Sequence, residues 1–159
     1  MIDLPNRGFT LIELVITVAI VGILAMTAMP IIEVTVKRQK ETDLRAALRQ
    51  IRAGIDAYKR AVDEGKVEKK VDESGYPRRL EDLDQGVENI QDPNKTKLYF
   101  LRRMPRDPFS DDPALTAAQT WGRRSYASPP DAPLAGVDVF DVYSLSGGVG
   151  LNGTPYREW

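Results

Sequence analysis

Gly8-Phe9-Thr10-Leu11-Ile12-Glu13-Leu14-Val15 opens an apolar run that continues to Ile32 and carries one charge, Glu13. Thr10, Thr17, Gly22 and Thr27 are its other interruptions. About 24 residues at ~1.5 Å rise make roughly 36 Å of helix, enough to cross a ~30 Å hydrocarbon core. A cleaved secretory signal fits poorly. Its apolar region is usually about 7–15 residues and ends at a small-x-small site, whereas Ala25-Met26-Thr27 lies close to Pro30. A plain membrane anchor leaves Glu13 unexplained, because a carboxylate inside the bilayer costs on the order of 2.5–3.5 kcal/mol.

The ordered string from Gly8 to Val15 resembles the processing site of type IV prepilins and their secretion-system relatives. The resemblance implies that a prepilin peptidase cuts after Gly8 and methylates the new N-terminus at Phe9. It also implies that Glu13 meets the N-terminal amine of a neighbouring subunit. Physics agrees with such a pairing, since a buried carboxylate is costly alone and tolerated beside an ammonium. One signal points the other way: Lys37, Arg38 and Lys40 follow the run and only Arg7 precedes it. The positive-inside tendency would put the C-terminal side in the cytoplasm, but large domains translocate largely regardless of flanking charge. The more specific leader motif decides for a head in the periplasm.

Pro30 should kink the helix or locally loosen it; the resemblance implies a filament-core helix that partly melts there, and both readings stay open. Met26 and Met29 read as lipid-facing or packing residues. Further on, Leu44, Leu48, Ile51, Ile55, Tyr58 and Val62 alternate steps of four and three, one stripe of an amphipathic helix. Glu41 with Arg45 and Asp56 with Arg60 are acid-first i,i+4 pairs of a solvated face. Gly65 offers a stop, so one helix is expected from about Leu11 to Glu64. The organisation is therefore a leader at 1–8, a transmembrane and filament-core helix at 9–32, its amphipathic half at 33–65, and a head at 66–159.

In the head, Tyr76 to Leu83 reads as a short helix, and strands are expected at about Arg123–Ala127 and Val137–Leu145. Residues 128–133 form an irregular loop, and Thr154–Trp159 could add an edge strand. Tyr76-Pro77 with Leu80 and Leu83, the segment Tyr99 to Phe109, and Asp141-Val142-Tyr143-Ser144-Leu145 resemble the major pseudopilin of type II secretion systems. That resemblance covers nearly the whole chain. It implies an α+β fold, a long N-terminal hydrophobic helix packed on a small C-terminal antiparallel sheet. It further implies a non-enzymatic subunit, inserted as a single-pass precursor in the bacterial inner membrane and then polymerised into a helical homo-oligomer. The implied partners are the prepilin peptidase, the lipid bilayer before assembly, an inner-membrane assembly platform and minor pseudopilins. The implied role is a short periplasmic fibre that helps to drive folded proteins through an outer-membrane channel, powered by a cytoplasmic ATPase.

Departures matter too. Such subunits usually carry aspartates in a calcium-binding loop after the Ser-Leu strand, yet Ser146 to Gly153 contains no carboxylate. Calcium takes about six to eight oxygens. Asp138, Asp141 and Asn152 are the remaining weak donors, and strand-end and turn roles are more ordinary for them. No cofactor is expected. Gly148 to Gly153 matches G-x-G-x-x-G but lacks the following helix and acidic residue of a dinucleotide site. Asp111-Asp112 reads as a solvated loop pair, and Trp121, Tyr126, Phe140 and Trp159 as core or subunit-contact residues.

Composition narrows the remaining classes. The 159 residues carry a net charge of −1 and contain neither His nor Cys. That removes Ser-His-Asp and Cys-His nucleophiles, Cys/His zinc sites and disulfides. Mixed charges give no basic field for nucleic acid. A type IV pilus subunit, serving adhesion, motility or DNA uptake, is the alternative; such pilins often carry a C-terminal disulfide, which this chain cannot form. A membrane-anchored enzyme is the remote one.

Overall fold

The computed structural model describes residues 9–159, with the side chains of all but 27–31. The chain divides into two units, Met1–Arg38 and Gln39–Trp159, and helix α1, Leu11–Asp63, contributes to both. Its end is a Schellman motif: Lys66 N–H donates to Ala61 C=O and Gly65 N–H to Val62 C=O, both at 2.9 Å. Gly65 takes the left-handed φ of 72° that this cap demands, so the expected stop is where the sequence puts it.

Within the second unit, the stripe Leu44, Leu48, Ile51, Ile55, Tyr58 and Val62 is buried throughout. It forms one core with Leu80, Leu83, Leu101, Met104, Trp121, Val139, Val142 and Tyr156. Gly54 sits in that face because Leu101 lies against it, with a built Cβ only 3.1 Å from the Leu101 side chain.

The strands differ from expectation. Among the described residues there are two separate two-stranded antiparallel sheets rather than one. Strand β1, Val87–Glu88, pairs with β2, Lys97–Leu98; strand β3, Trp121–Arg124, pairs with β4, Asp141–Ser144. Strand β3 starts earlier than expected and stops at Arg124, because the register Trp121↔Ser144 to Arg124↔Asp141 is closed by a turn at Tyr126-Ala127. Gly122 belongs there because the Tyr143 ring crosses it, and a Cβ would lie 2.3 Å from that ring.

The short helix shrinks to α2, Asp82–Gln85, preceded by turns. Asp82 carboxylate accepts the Arg79 N–H at 3.1 Å, and Gly86 at φ 77° ends the element. The expected edge strand at 154–159 is replaced by a single bridge, Val149↔Pro155, and a 3-10 turn at Tyr156–Glu158. Trp159 N–H bonds back to Tyr156 C=O, so the segment folds on itself instead of extending.

Candidate functional site

Gly8 lies outside the described residues, and so does the side chain of Pro30, which leaves Phe9 and Glu13 to be placed. Phe9 is exposed beside the first turn of α1. Glu13 closes a capping box with Thr10. Thr10 N–H donates to Glu13 Oε2 at 3.0 Å, Thr10 Oγ1 donates to the same oxygen at 2.8 Å, and Glu13 N–H donates to Thr10 Oγ1 at 3.3 Å. Thr10 C=O accepts the first helical bond, from Leu14 N–H. The carboxylate thus already has hydrogen-bond partners on its own chain. The T-x-x-E spacing at 10–13 carried that signal.

Every described side chain from Phe9 to Met26 is exposed, as are Ile32, Val34 and Val36. Among the described residues no helix is long and apolar enough to cross a membrane. The expected span at 9–32 includes side chains outside that description.

In the second unit, α1 holds the C-terminal segment through charge. Glu41 is buried, and its Oε1 accepts Leu151 N–H at 2.7 Å and Tyr156 O–H at 3.1 Å. It is not the solvated partner of Arg45 that i,i+4 spacing suggests. Arg45 instead covers the Trp159 ring, 4.2 Å from its centroid. Asp56 and Arg60 likewise form no side-chain pair; Arg60 Nε donates to the main-chain oxygen of Asp56 at 3.4 Å. Arg52 reaches across to β4 and the chain end. Its Nε meets Asp141 at 2.8 Å, and its Nη2 donates to Val142 C=O at 3.2 Å and to the Trp159 main-chain oxygen at 2.8 Å.

The calcium candidates have other employment. Asp141 pairs with Arg52 and with Arg124, at 3.4 Å. Asn152 Oδ1 accepts Thr154 N–H at 3.1 Å, an Asx turn. Asp138 is buried and accepts Ser125 Oγ at 2.6 Å, Tyr126 N–H at 3.0 Å and the Ser74 hydroxyl. Among the described residues, no group of three or more His, Cys, Asp or Glu is arranged to hold a metal. The glycine-rich segment 148–153 is a turn, closed by Gly150 N–H to Thr154 C=O at 2.8 Å. Trp121 is core, whereas Tyr126 stacks on Tyr76 and Phe140 meets the Tyr76 ring edge-on.

These bonds set a pH profile. Burial pushes the Asp138 carboxyl up, but hydrogen bonds from Ser125, Ser74 and Tyr126 outweigh it and leave it below the ordinary carboxylate value. Its stabilisation is therefore present above an unfolded pKa of about 3.9 and is lost as pH falls through the lower folded value. Burial, with the Glu41 carboxylate second, pushes the Tyr156 phenol up to about 12. Its contribution is complete below an unfolded pKa of about 10 and disappears as pH rises toward 12. Melting temperature should fall on both limbs. Asp138→Asn should flatten the acid limb and Tyr156→Phe the alkaline one, and limbs unchanged by these variants would contradict the assignment.

A capped apolar helix whose second half carries a small head of turns and antiparallel strands defines the type IV pilin-like class. The prokaryotic N-terminal methylation motif matches residues 4–29. The chain is similar to the type II secretion system core protein G of Pseudomonas aeruginosa, at 30% identity over 144 residues, covering 88% of this chain and 82% of that one. It is similar to the Escherichia coli K12 protein of the same description, at 27% over 149 residues, covering 89% and 93%. The type IV major alpha-pilin of Moraxella bovis is 29% identical over 120 residues, covering 76% and 71%. No solved structure matches. The chain belongs to the type II secretion system core protein G family.

Proposed function

We propose that this chain is the major pseudopilin of a type II secretion system, a structural subunit without enzymatic activity. One observation carries the reading: the large apolar side chains described between Phe9 and Val36 are all exposed on the isolated chain. Exposed apolar surface on that scale calls for lipid or for other subunits. The bilayer of the inner membrane covers it in the precursor, with the head in the periplasm, and neighbouring helices cover it in the periplasmic fibre. Prepilin peptidase cuts between Gly8 and Phe9; an assembly platform and minor pseudopilins take the mature subunit into the filament.

Deleting the gene and comparing the secreted proteome with surface filaments tests the role. Loss of specific exported proteins with surface pili intact supports the secretion reading. Loss of pili with secretion unchanged would make the chain a surface pilin, the reading that the likeness to the Moraxella bovis alpha-pilin favours. Processing has its own test. The intact mass from cells that possess the peptidase should correspond to a chain starting at Phe9 plus one methyl group, and a mass retaining Met1 to Gly8 would defeat it.

A further inference from the structure

Helix α1 carries Arg45, Arg49 and Arg52 in steps of four and three, on one face. Arg52 is neutralised by Asp141. Arg45 and Arg49 are exposed, and among the described residues neither has a carboxylate partner. They line, with Leu48, Asn152 and Trp159, an open cavity of about 280 Å³. Leu48 is buried beneath it, and the Trp159 ring lies under the Arg45 guanidinium. Two unpaired cations above apolar surface form a receptor for a carboxylate. A guanidinium binds a carboxylate through two parallel hydrogen bonds, and nearby low-dielectric side chains strengthen the pair.

A matching carboxylate sits elsewhere on the same unit. Asp111 and Asp112 are exposed in the loop after Phe109. Arg106 clamps that loop by donating to the Leu115 C=O at 2.6 Å and to the Asp112 C=O, and Asp112 Oδ1 accepts Ala114 N–H at 2.9 Å. Those bonds hold the loop's main chain and leave Asp111 without a cation among the described residues. Growth of a helical polymer needs two different, complementary patches on every copy, since one self-complementary patch yields closed dimers.

We propose that the Arg45–Arg49–Trp159 cleft receives the Asp111 carboxylate of a second copy of this chain, and that this contact joins heads in the filament. The inference rests on the filament reading given under Proposed function.

Charge exchange in the full-length chain tests it, with fibres measured in assembling cells. Arg49→Glu and Asp111→Arg, each alone, should lower fibre yield about tenfold or more, the effect of roughly 1.4 kcal/mol per contact. Together they should return yield to near the wild-type level. Fibre yield unchanged by Arg49→Glu overturns the cleft. Failure of the combined variant to recover, with its melting temperature as wild type, overturns Asp111 as the partner. Normal fibres with lost secretion in Arg49→Glu would give the cleft to an exported protein and overturn the second copy. Arg49→Gln, which keeps size and removes charge, should give an intermediate yield. Absence of fibres from the wild-type chain would instead strike the filament reading itself.

Discussion

Glu13→Ala should leave the chain inserted in the membrane and abolish filaments. Removing a carboxylate from the apolar run favours the lipid-embedded helix by about 2.5–3.5 kcal/mol. Losing half of the capping box with Thr10 costs only about 0.5–2 kcal/mol at a helix end. Insertion therefore persists, and any loss of assembly reports the missing charge or the missing cap. Glu13→Gln separates these two. Glutamine can close a capping box, but it cannot neutralise an ammonium. If Glu13→Gln assembles as wild type while Glu13→Ala does not, the cap is what matters and the inter-subunit ion pair is refuted. If both fail and Thr10→Ala assembles, the charge is decisive. Sedimentable fibre per unit of membrane-inserted subunit is the quantity to measure.

Tyr156→Ala should destabilise the head by about 3–5 kcal/mol, the usual cost of emptying a buried aromatic site. Tyr156 is 2% exposed. Its ring stacks on Phe109 at 4.1 Å between centroids and meets the Trp159 ring edge-on at 5.0 Å. The hydroxyl donates to Glu41, whose carboxylate also holds Leu151 N–H. Removing the ring thus empties the core, frees the carboxylate and loosens segment 146–159 together. Tyr156→Phe keeps the stacking and leaves Glu41 one donor short, for about 1–2 kcal/mol. Thermal melts of the full chain in detergent decide this, and equal losses from both variants would show that the hydroxyl, not the ring, dominates.

Helix α1 was readable because its determinants are local. The 4-3 stripe, the Gly65 stop and the T-x-x-E start each involve residues within one or two turns. The start falls at Leu11 as expected, and the Thr10–Glu13 capping box adds a local role for Glu13 beside the inter-subunit one. Strands β1 and β2 escaped because two residues each are too few to show alternation. Strand β3 was displaced because β-branched and aromatic content marks a region, whereas pairing with Ser144 and Asp141 decides the register.

The sequence by itself determined the chain's class, its processing junction as an expectation, its long helix and the helix face that enters the core. These rest on an ordered motif and on a 3.6-residue period, both short-range properties. Only the tertiary structure decided what the charged residues of that helix do. Glu41 looks like half of a surface pair with Arg45, yet its partners lie 110 and 115 residues away. Arg52 finds Asp141 at a separation of 89. Whether a carboxylate is solvated or buried depends on which segment closes over it, and closure belongs to the packed chain.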